Sequence, residues 1–194
     1  LSNESTGKMG VALASAAWRR GAEVMLIHGP LQVTVPLGGI CTRAVTTTAE
    51  MAEALRAELE GADVLVMAAA PADFRPAAVS EGKIKKVAGA TPAPLVLEPT
   101  VDILAATRDA RPAGLVAVGF ALETDDLEDN AARKLAAKGL DLIVANSARE
   151  AGAGFGYDTN RVTLLGADGS REALPLMSKT ETADAIWDRV AACR

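Results

Sequence analysis

Apolar and polar positions along the chain switch between helical and strand periods, and that alternation predicts the architecture. Lys8 to Arg20 reads as an Ala-rich helix, Glu23 to Ile27 as a short buried strand and Thr42 to Val45 as another strand. Thr47-Thr48-Ala49-Glu50 forms a capping box, in which a hydroxyl and a carboxylate each satisfy a backbone N–H, ahead of a helix from Met51 to Leu59. Val64 to Ala69 is a continuous apolar run of strand length, expected inside a parallel sheet covered on both faces. After a long loop the cycle repeats, with a helix near Val101 to Arg108, a strand Leu115 to Phe120, a helix Leu127 to Lys138 and a strand Leu142 to Ala145. Arg161 to Leu165 and Glu172 to Leu176 flank Ala167-Asp168-Gly169-Ser170, an Asp-Gly hairpin signal, and a final amphipathic helix runs from about Lys179 to Ala191.

This pattern predicts an α/β fold, a Rossmann-like, doubly wound, mainly parallel sheet with an antiparallel edge at the hairpin. No internal repeat or low-complexity linker interrupts it, so residues 1–194 read as one domain. The chain opens on Leu1-Ser2-Asn3-Glu4-Ser5-Thr6-Gly7-Lys8 and passes straight into a helix, where a doubly wound domain places a strand before such a loop. The expectation is a domain lacking its first strand. Phe74 to Pro94, rich in Ala, Gly and Pro and without helical period, is expected to be partly mobile.

Composition limits the function classes. With 49% apolar and 23% charged residues among 194, the chain can bury a sizeable core and is not of a disordered type. A net charge of -5 argues against a broad phosphate-backbone footprint, so nucleic acid is not an expected partner and an anionic ligand would meet a local lysine cluster. No apolar run approaches the roughly 20 residues needed to cross a bilayer, and the first residues lack the order of a signal peptide. The expected setting is the cytoplasm, with no membrane partner. Cys41 and Cys193 show no metal or redox spacing and His28 has no partner histidine, so all three read as structural.

Ligands of open α/β sheets bind beyond the carboxyl ends of the strands. There Ser2 to Gly10 offers small residues and backbone amides at a helix N-terminus, either an anion site or a plain capped helix start. Met9 after Gly7-Lys8 separates it from a Walker A loop, and G-x-G-x-x-G occurs nowhere. Ala68-Ala69-Ala70-Pro71-Ala72-Asp73-Phe74-Arg75-Pro76 brings small residues to a strand end, where a ligand can lie against the backbone, and Asp73 adds an acceptor or metal-facing carboxylate. A tight exit with a solvated Asp73-Arg75 pair is the plain alternative. Lys83-Ile84-Lys85-Lys86 is either a solvated surface or a triphosphate-binding cluster. Lys134 and Lys138 share one helix face, at a cost of a few tenths of a kcal/mol unless an anion lies between them. Phe120 ends an apolar strand, where its ring serves either the core or a ribose or base.

In this order, Ser2 to Gly10, Ala68 to Pro76, Lys83 to Lys86, Val118-Gly119-Phe120-Ala121-Leu122-Glu123-Thr124 and Leu140-Asp141-Leu142-Ile143-Val144-Ala145-Asn146 resemble the phosphopantothenate-cysteine ligase family. In bacteria that domain is usually the C-terminal half of a bifunctional protein whose N-terminal half is an FMN-dependent decarboxylase. The resemblance covers nearly the whole chain. It implies CTP-dependent ligation of phosphopantothenate with cysteine through an acyl-cytidylate, in coenzyme A synthesis, by a homodimer that uses Mg²⁺. FMN is implied only if a decarboxylase domain is fused upstream. By the same resemblance Asn3 handles the acyl-cytidylate and Lys83 is the catalytic lysine, which also meets the nucleotide. The backbone of Met67, Ala68 and Ala69, with Asp73, matches nucleotide contacts; so do Val101, Asp102, Ile103, Leu104, Phe120, Lys134 and Lys138. Ser5 meets a phosphate, and part of Phe74 to Pro94 is implied to pair with a second copy.

The sequence departs from the family at three places, one being that the upstream strand, the threonine- and glycine-containing loop and the arginine that the resemblance calls for before Asn3 are not in this sequence. Glu98-Pro99-Thr100-Val101-Asp102 stands where many members carry Asn-Pro-Asp, and Pro71 replaces a more usual valine, stiffening the turn. Two other readings compete. An NAD(P)-binding oxidoreductase of short-chain type is opposed by the missing Tyr-x-x-x-Lys pair, since the only tyrosine, Tyr157, has Arg161 four residues on. The other is a non-catalytic nucleotide-binding module.

Overall fold

Local chemistry sets the helix boundaries. In the computed structural model, which describes residues 2–36, 38–80, 82, 83, 85, 94–123, 126–147, 152, 154 and 156–193 with the side chains of Glu123 and Ser147 excepted, the chain order begins α1 (Lys8–Arg19), β1 (Val24–His28), β2 (Ile40–Ala44), α2 (Thr48–Glu58) and β3 (Val64–Met67). It continues β4 (Phe74–Pro76), β5 (Leu97–Pro99), α3 (Ile103–Ala106), a 3-10 turn at Arg108–Ala110, β6 (Val116–Glu123), α4 (Leu127–Lys138) and β7 (Leu142–Ser147). The last elements are β8 (Thr159–Asn160), β9 (Thr163–Gly166), β10 (Arg171–Ala173), β11 (Met177–Ser178) and α5 (Lys179–Ala191). The Thr47 hydroxyl and Glu50 carboxylate close the expected capping box at α2, and Ser178 with Glu181 closes a second at α5. Gly139, at φ 55°, ends α4 in the left-handed conformation.

Five strands pair in the order β10-β9-β7-β6-β3, parallel from β3 through β7 and antiparallel from β7 to β10. The mainly parallel α/β fold with an antiparallel edge is therefore as expected. The two-residue period of the strands divides the core. Leu142 and Val144 of β7, with Val116 and Val118 of β6, face α1 and α5, whereas Ile143, Ala145 and Ala117 face α2, α3 and α4. The α1–α5 layer is pinned by the Trp187 indole, which donates to the Leu13 carbonyl at 2.9 Å.

One expectation is overturned. The apolar run at Val64 is a strand only as far as Met67, and among the described residues it lies at a sheet edge, hydrogen-bonded to β6 alone. β1 and β2 form a separate parallel pair, registered from Val24↔Ile40 to His28↔Ala44. An apolar run reports that both faces of a strand are covered; it does not report how many neighbours share its hydrogen bonds. Smaller differences follow from tertiary context. The helix expected from Val101 shortens to α3 plus the 3-10 turn, and β6 and β7 run past Phe120 and Ala145. The hairpin pairs only Thr163–Leu165 with Arg171–Ala173. Of the segment from Phe74 to Pro94, the first residues form an antiparallel ribbon of β4 with β5, and 81, 84 and 86–93 lie outside the described residues.

Leu142→Ala, at 0% exposure in the central strand, is expected to cost about 2–5 kcal/mol. Met25→Ala in β1, where the side chain is 42% exposed, is expected to cost about 1 kcal/mol or less. Urea unfolding of the two variants checks the contrast, and equal losses would show β1 to be packed as firmly as β7.

Candidate functional site

The loop into α1 is shaped by one glycine. Gly7 caps the helix at φ 78°, a left-handed conformation that favours glycine, and it lies close against the Leu31 side chain. The Gln32 N–H donates to the Thr6 carbonyl at 3.0 Å, holding this loop against the segment that follows β1. Asn3 then reaches the other way. Its carboxamide nitrogen donates to the Ala70 carbonyl, and its Oδ1 accepts the Ser5 N–H at 2.8 Å. The first two motif loops, 67 residues apart, are thus joined by one side chain.

The alanine loop is tied onward. The Thr100 N–H donates to the Asp73 carbonyl at 2.9 Å, and the Thr100 hydroxyl donates to the Ala72 carbonyl at 2.6 Å. Two residues on, Asp102 caps α3 by accepting the Ala105 N–H at 3.1 Å and pairs with the Lys138 ammonium at 3.1 Å. Burial pushes the Asp102 carboxyl up, but the Ala105 N–H and Lys138 outweigh it, and the group is held below its ordinary 3.8.

Beneath this pair lies Arg111. Its guanidinium donates to the carbonyls of Lys138 (3.0 Å), Gly139 (2.7 Å) and Leu104, clamping the end of α4 to α3, while its Nε is buried without a hydrogen bond among the described residues. Burial pulls its pKa down, and the nearby Asp141 carboxylate opposes that pull. The two segments flanking the cation Lys138 are held by one fork-shaped donor, a geometry that an ammonium does not reproduce.

These pieces surround a cavity of about 2590 Å³ at the carboxyl ends of β3 and β6, which extends down between β1 and β3. Every site position expected from the sequence lines it except Lys83. Lys83 is exposed, and its neighbours Ile84 and Lys86 fall outside the described residues. Ile103 and Leu104, 2% and 6% exposed, offer the cavity mainly backbone, since their side chains pack in the core. Phe120 is half-buried against the Val118 layer and also lines the cavity. The His28 Nδ1 lies 2.7 Å from the adjacent Gly29 carbonyl oxygen, and Cys41, which is exposed, and Cys193, which is half-buried, are free thiols.

Sequence reasoning missed a second tether beside the Ser5 loop. The Lys8 ammonium donates to Asp158 Oδ1 at 2.7 Å and to the Gly156 carbonyl at 2.8 Å. Lys179, only 7% exposed, donates to the carbonyls of Gly154 (3.0 Å) and Tyr157 (2.7 Å). Burial first, and Lys8 second, lower the Lys179 pKa against the pull of Asp158. The available signal was a lysine directly after the capping Ser178, where the helix dipole disfavours a cation unless carbonyls receive it. Arg111 carried no signal in sequence, because its three acceptors come together only in the fold.

Chemically, the arrangement offers helix-terminal amides, small-residue backbone, two lysines of one helix face and an aromatic ring around one cavity, which suits an anionic ligand with a planar group. Among the described residues no group of three or more His, Cys, Asp or Glu is placed to hold a metal ion, and no helix is long and apolar enough to cross a membrane.

Comparison with known proteins agrees on one family. The family model described as the DNA/pantothenate metabolism flavoprotein C-terminal domain matches residues 1–193. The chain is 45% identical over 192 residues to the coenzyme A biosynthesis bifunctional protein CoaBC of Bacillus subtilis (strain 168), covering 99% of this chain and 47% of that protein. It is 42% identical over 190 residues to a cysteine/cysteine sulfinic acid decarboxylase of an unknown prokaryotic organism, covering 98% and 52%. A crystal structure of the C-terminal domain of CoaBC superposes with a TM-score of 0.79 at 35% identity, over 96% of this chain and 82% of that one. The chain spans about half the length of the curated relatives it matches.

Arg111→Gln is expected to cost about 1–3 kcal/mol, because three partly buried carbonyls lose a charged donor. Arg111→Lys should recover only part of it, as denaturant unfolding of both variants would show. Asp102 sets an acid limit on the same junction. Because its folded value lies below 3.8, its contribution is present above that pH and is lost as pH falls through the lower folded value. Asp102→Asn should therefore lose stability less steeply than the unaltered chain below about pH 4, measured by denaturation across a pH series.

Proposed function

The chain belongs to the family of the DNA/pantothenate metabolism flavoprotein C-terminal domain, and from that membership we propose that it is a phosphopantothenate-cysteine ligase domain of coenzyme A synthesis. In this reading the phosphopantothenate carboxylate attacks the α-phosphorus of CTP, pyrophosphate leaves, and the cysteine amine displaces CMP from the acyl-cytidylate. The observation that carries it is the Asn3 bridge, which joins the Ser2–Gly7 and Ala68–Asp73 loops at the rim of a cavity also lined by Phe120, Asp102 and Lys138.

Each role follows from chemistry at that rim. Asn3, its Oδ1 engaged by the Ser5 N–H, keeps a carboxamide beside the position where the carboxylate and α-phosphate react. The N-terminal amides of α1, with Ser5, take a phosphate. Phe120 and the backbone around Val101–Leu104 take the cytidine, and Lys134 and Lys138 take its charge, with Lys138 already oriented by Asp102. Lys83 enters from the exposed segment to stabilise the charge that develops as pyrophosphate departs. Among the described residues no group of three or more His, Cys, Asp or Glu forms a protein cage for Mg²⁺, and such an ion commonly arrives on the oxygens of a triphosphate. The decarboxylase name of one relative attaches to a protein of which the match spans 52%, so that activity has another half in which to reside, and FMN with it. A cytoplasmic homodimer in which part of Phe74–Pro94 meets the second copy completes the reading.

Pyrophosphate release from CTP, with and without phosphopantothenate, tests it. Release should depend on phosphopantothenate; CTP binding without release selects a non-catalytic module instead. Lys83→Gln should retain the fold and lose about 100-fold in kcat, the scale of one deleted charge-stabilising donor, while Lys85→Gln loses little. Equal small losses in both would withdraw Lys83 from catalysis.

A further inference from the structure

α3 is a single turn of four residues, too short to hold its own shape, yet the rim of the cavity at Val101–Leu104 is built on it. Asp102 holds its start by accepting the Ala105 N–H, and Thr100 ties the chain before it to the alanine loop. The Ile103 and Leu104 side chains are buried in the core, so this stretch turns mainly its backbone to the cavity. Beside it, Lys138 is the last residue of α4, where helix carbonyls have no partner within the helix. Its ammonium pairs with Asp102 at 3.1 Å, at the same rim.

Arg111 joins these two pieces from behind, outside the cavity lining. One terminal nitrogen donates to the carbonyls of Lys138 and Gly139, and the other to the Leu104 carbonyl. With the Asp102–Lys138 pair this closes a ring: Asp102 to Lys138 at the rim, Lys138 through Arg111 to Leu104, and Leu104 through α3 back to Asp102. The arrangement carries costs. The Arg111 Nε is buried without a hydrogen bond among the described residues, and the like charge of Arg108 works against the guanidinium. A lysine can cap helix carbonyls without a rigid fork. What the guanidinium adds is a fixed spacing between carbonyls of two different elements.

We propose that Arg111 is a positioning residue for the nucleotide: it sets the spacing between the main chain of Val101–Leu104 and the Lys138 ammonium, so that both meet one nucleotide together. The inference rests on the ligase reading for the identity of that nucleotide, CTP. Arg111 touches no substrate and acts through Lys138 and α3. Its effect therefore falls on nucleotide binding, which moves KM and leaves kcat in place. The Asn3 and Ser5 end of the cavity is held by separate contacts, so phosphopantothenate does not feel the change.

Calorimetric CTP binding to the 194-residue chain, and pyrophosphate release at varied CTP and phosphopantothenate, are compared for the unaltered chain, Arg111→Gln, Arg111→Lys, Lys138→Gln and the double variants. Ile186→Val, a buried position on α5, controls for lost stability alone. Arg111→Gln should weaken CTP binding by about tenfold, with kcat and the phosphopantothenate KM staying within about twofold. Arg111→Lys, which keeps the charge and loses the fork, should weaken CTP binding by about threefold or more. Where Lys138 is already replaced, Arg111→Gln should weaken it by less than about threefold further, because residues that act through one another are not additive. The proposal is overturned by unchanged CTP affinity in either Arg111 variant, by an equal rise in the phosphopantothenate KM, by an undiminished loss beside Lys138→Gln, or by the same loss in Ile186→Val. Should Arg111→Gln not fold, Arg111→Lys decides: no loss of CTP affinity, or a loss undiminished beside Lys138→Gln, overturns the proposal. An unaltered chain that binds CTP without releasing pyrophosphate loses the ligase reading and leaves the binding comparison to judge Arg111, whereas one that binds no CTP overturns both.

Discussion

The parallel pairing of β6 with β7, sealed on both faces along Leu142 to Ala145, is the constraint from which the other features follow. Six residues of each strand are in register, from Val118↔Leu142 to Glu123↔Ser147, and Leu142 to Ala145 are at most 1% exposed. A ladder buried so completely has no water to exchange with, so each backbone group must find its partner in the neighbouring strand. Gly119 permits the helix side to close on it, because a Cβ there would come within 2.6 Å of Leu140. With this pair fixed, the carboxyl ends of β6 and β3 fall at the same level, and the loops that follow them face one cavity.

At that level the loops are held mostly by side chains that satisfy main-chain groups of other loops. Asn3 receives Ser5 and gives to Ala70, Thr100 binds the alanine loop, Arg111 holds three carbonyls, and Lys179 holds two. Loop carbonyls away from regular structure need donors, and long polar side chains supply them without adding a strand or helix. The result is a rim that carries positive groups and open amides in a chain of net charge -5. The anion-binding potential proposed for the cavity is therefore local, set by where donors stand and not by the charge of the whole molecule.

The edge of β1 shows what happens where the same rules are left incomplete. β1 has the composition of a buried parallel strand, packs against α1 and α2, and still exposes Met25, because the ladder on its inner side has no partner among the described strands. Its helices cover faces, and only another strand covers an edge.

Local pattern alone determined the main helices and strands of the two α/β cycles and the capping box at Thr47, since these depend on side chains a few residues apart. It also determined the antiparallel hairpin through Asp168-Gly169, a turn whose chemistry is local. The motif loops were legible because small residues and lysines at strand ends leave a composition signal, and their resemblance to a known family pointed to Asn3, Phe120 and Lys138. Only the tertiary structure decided that Val64–Met67 is an edge, since an apolar run is the same with one neighbour or two. Only it brought Asn3 to Ala70 and Arg111 to Leu104 and Lys138, and set Lys8 and Lys179 on one loop. Those contacts join residues far apart in the chain, and the energy of a donor meeting a distant carbonyl leaves no period, spacing or composition by which a sequence could announce it.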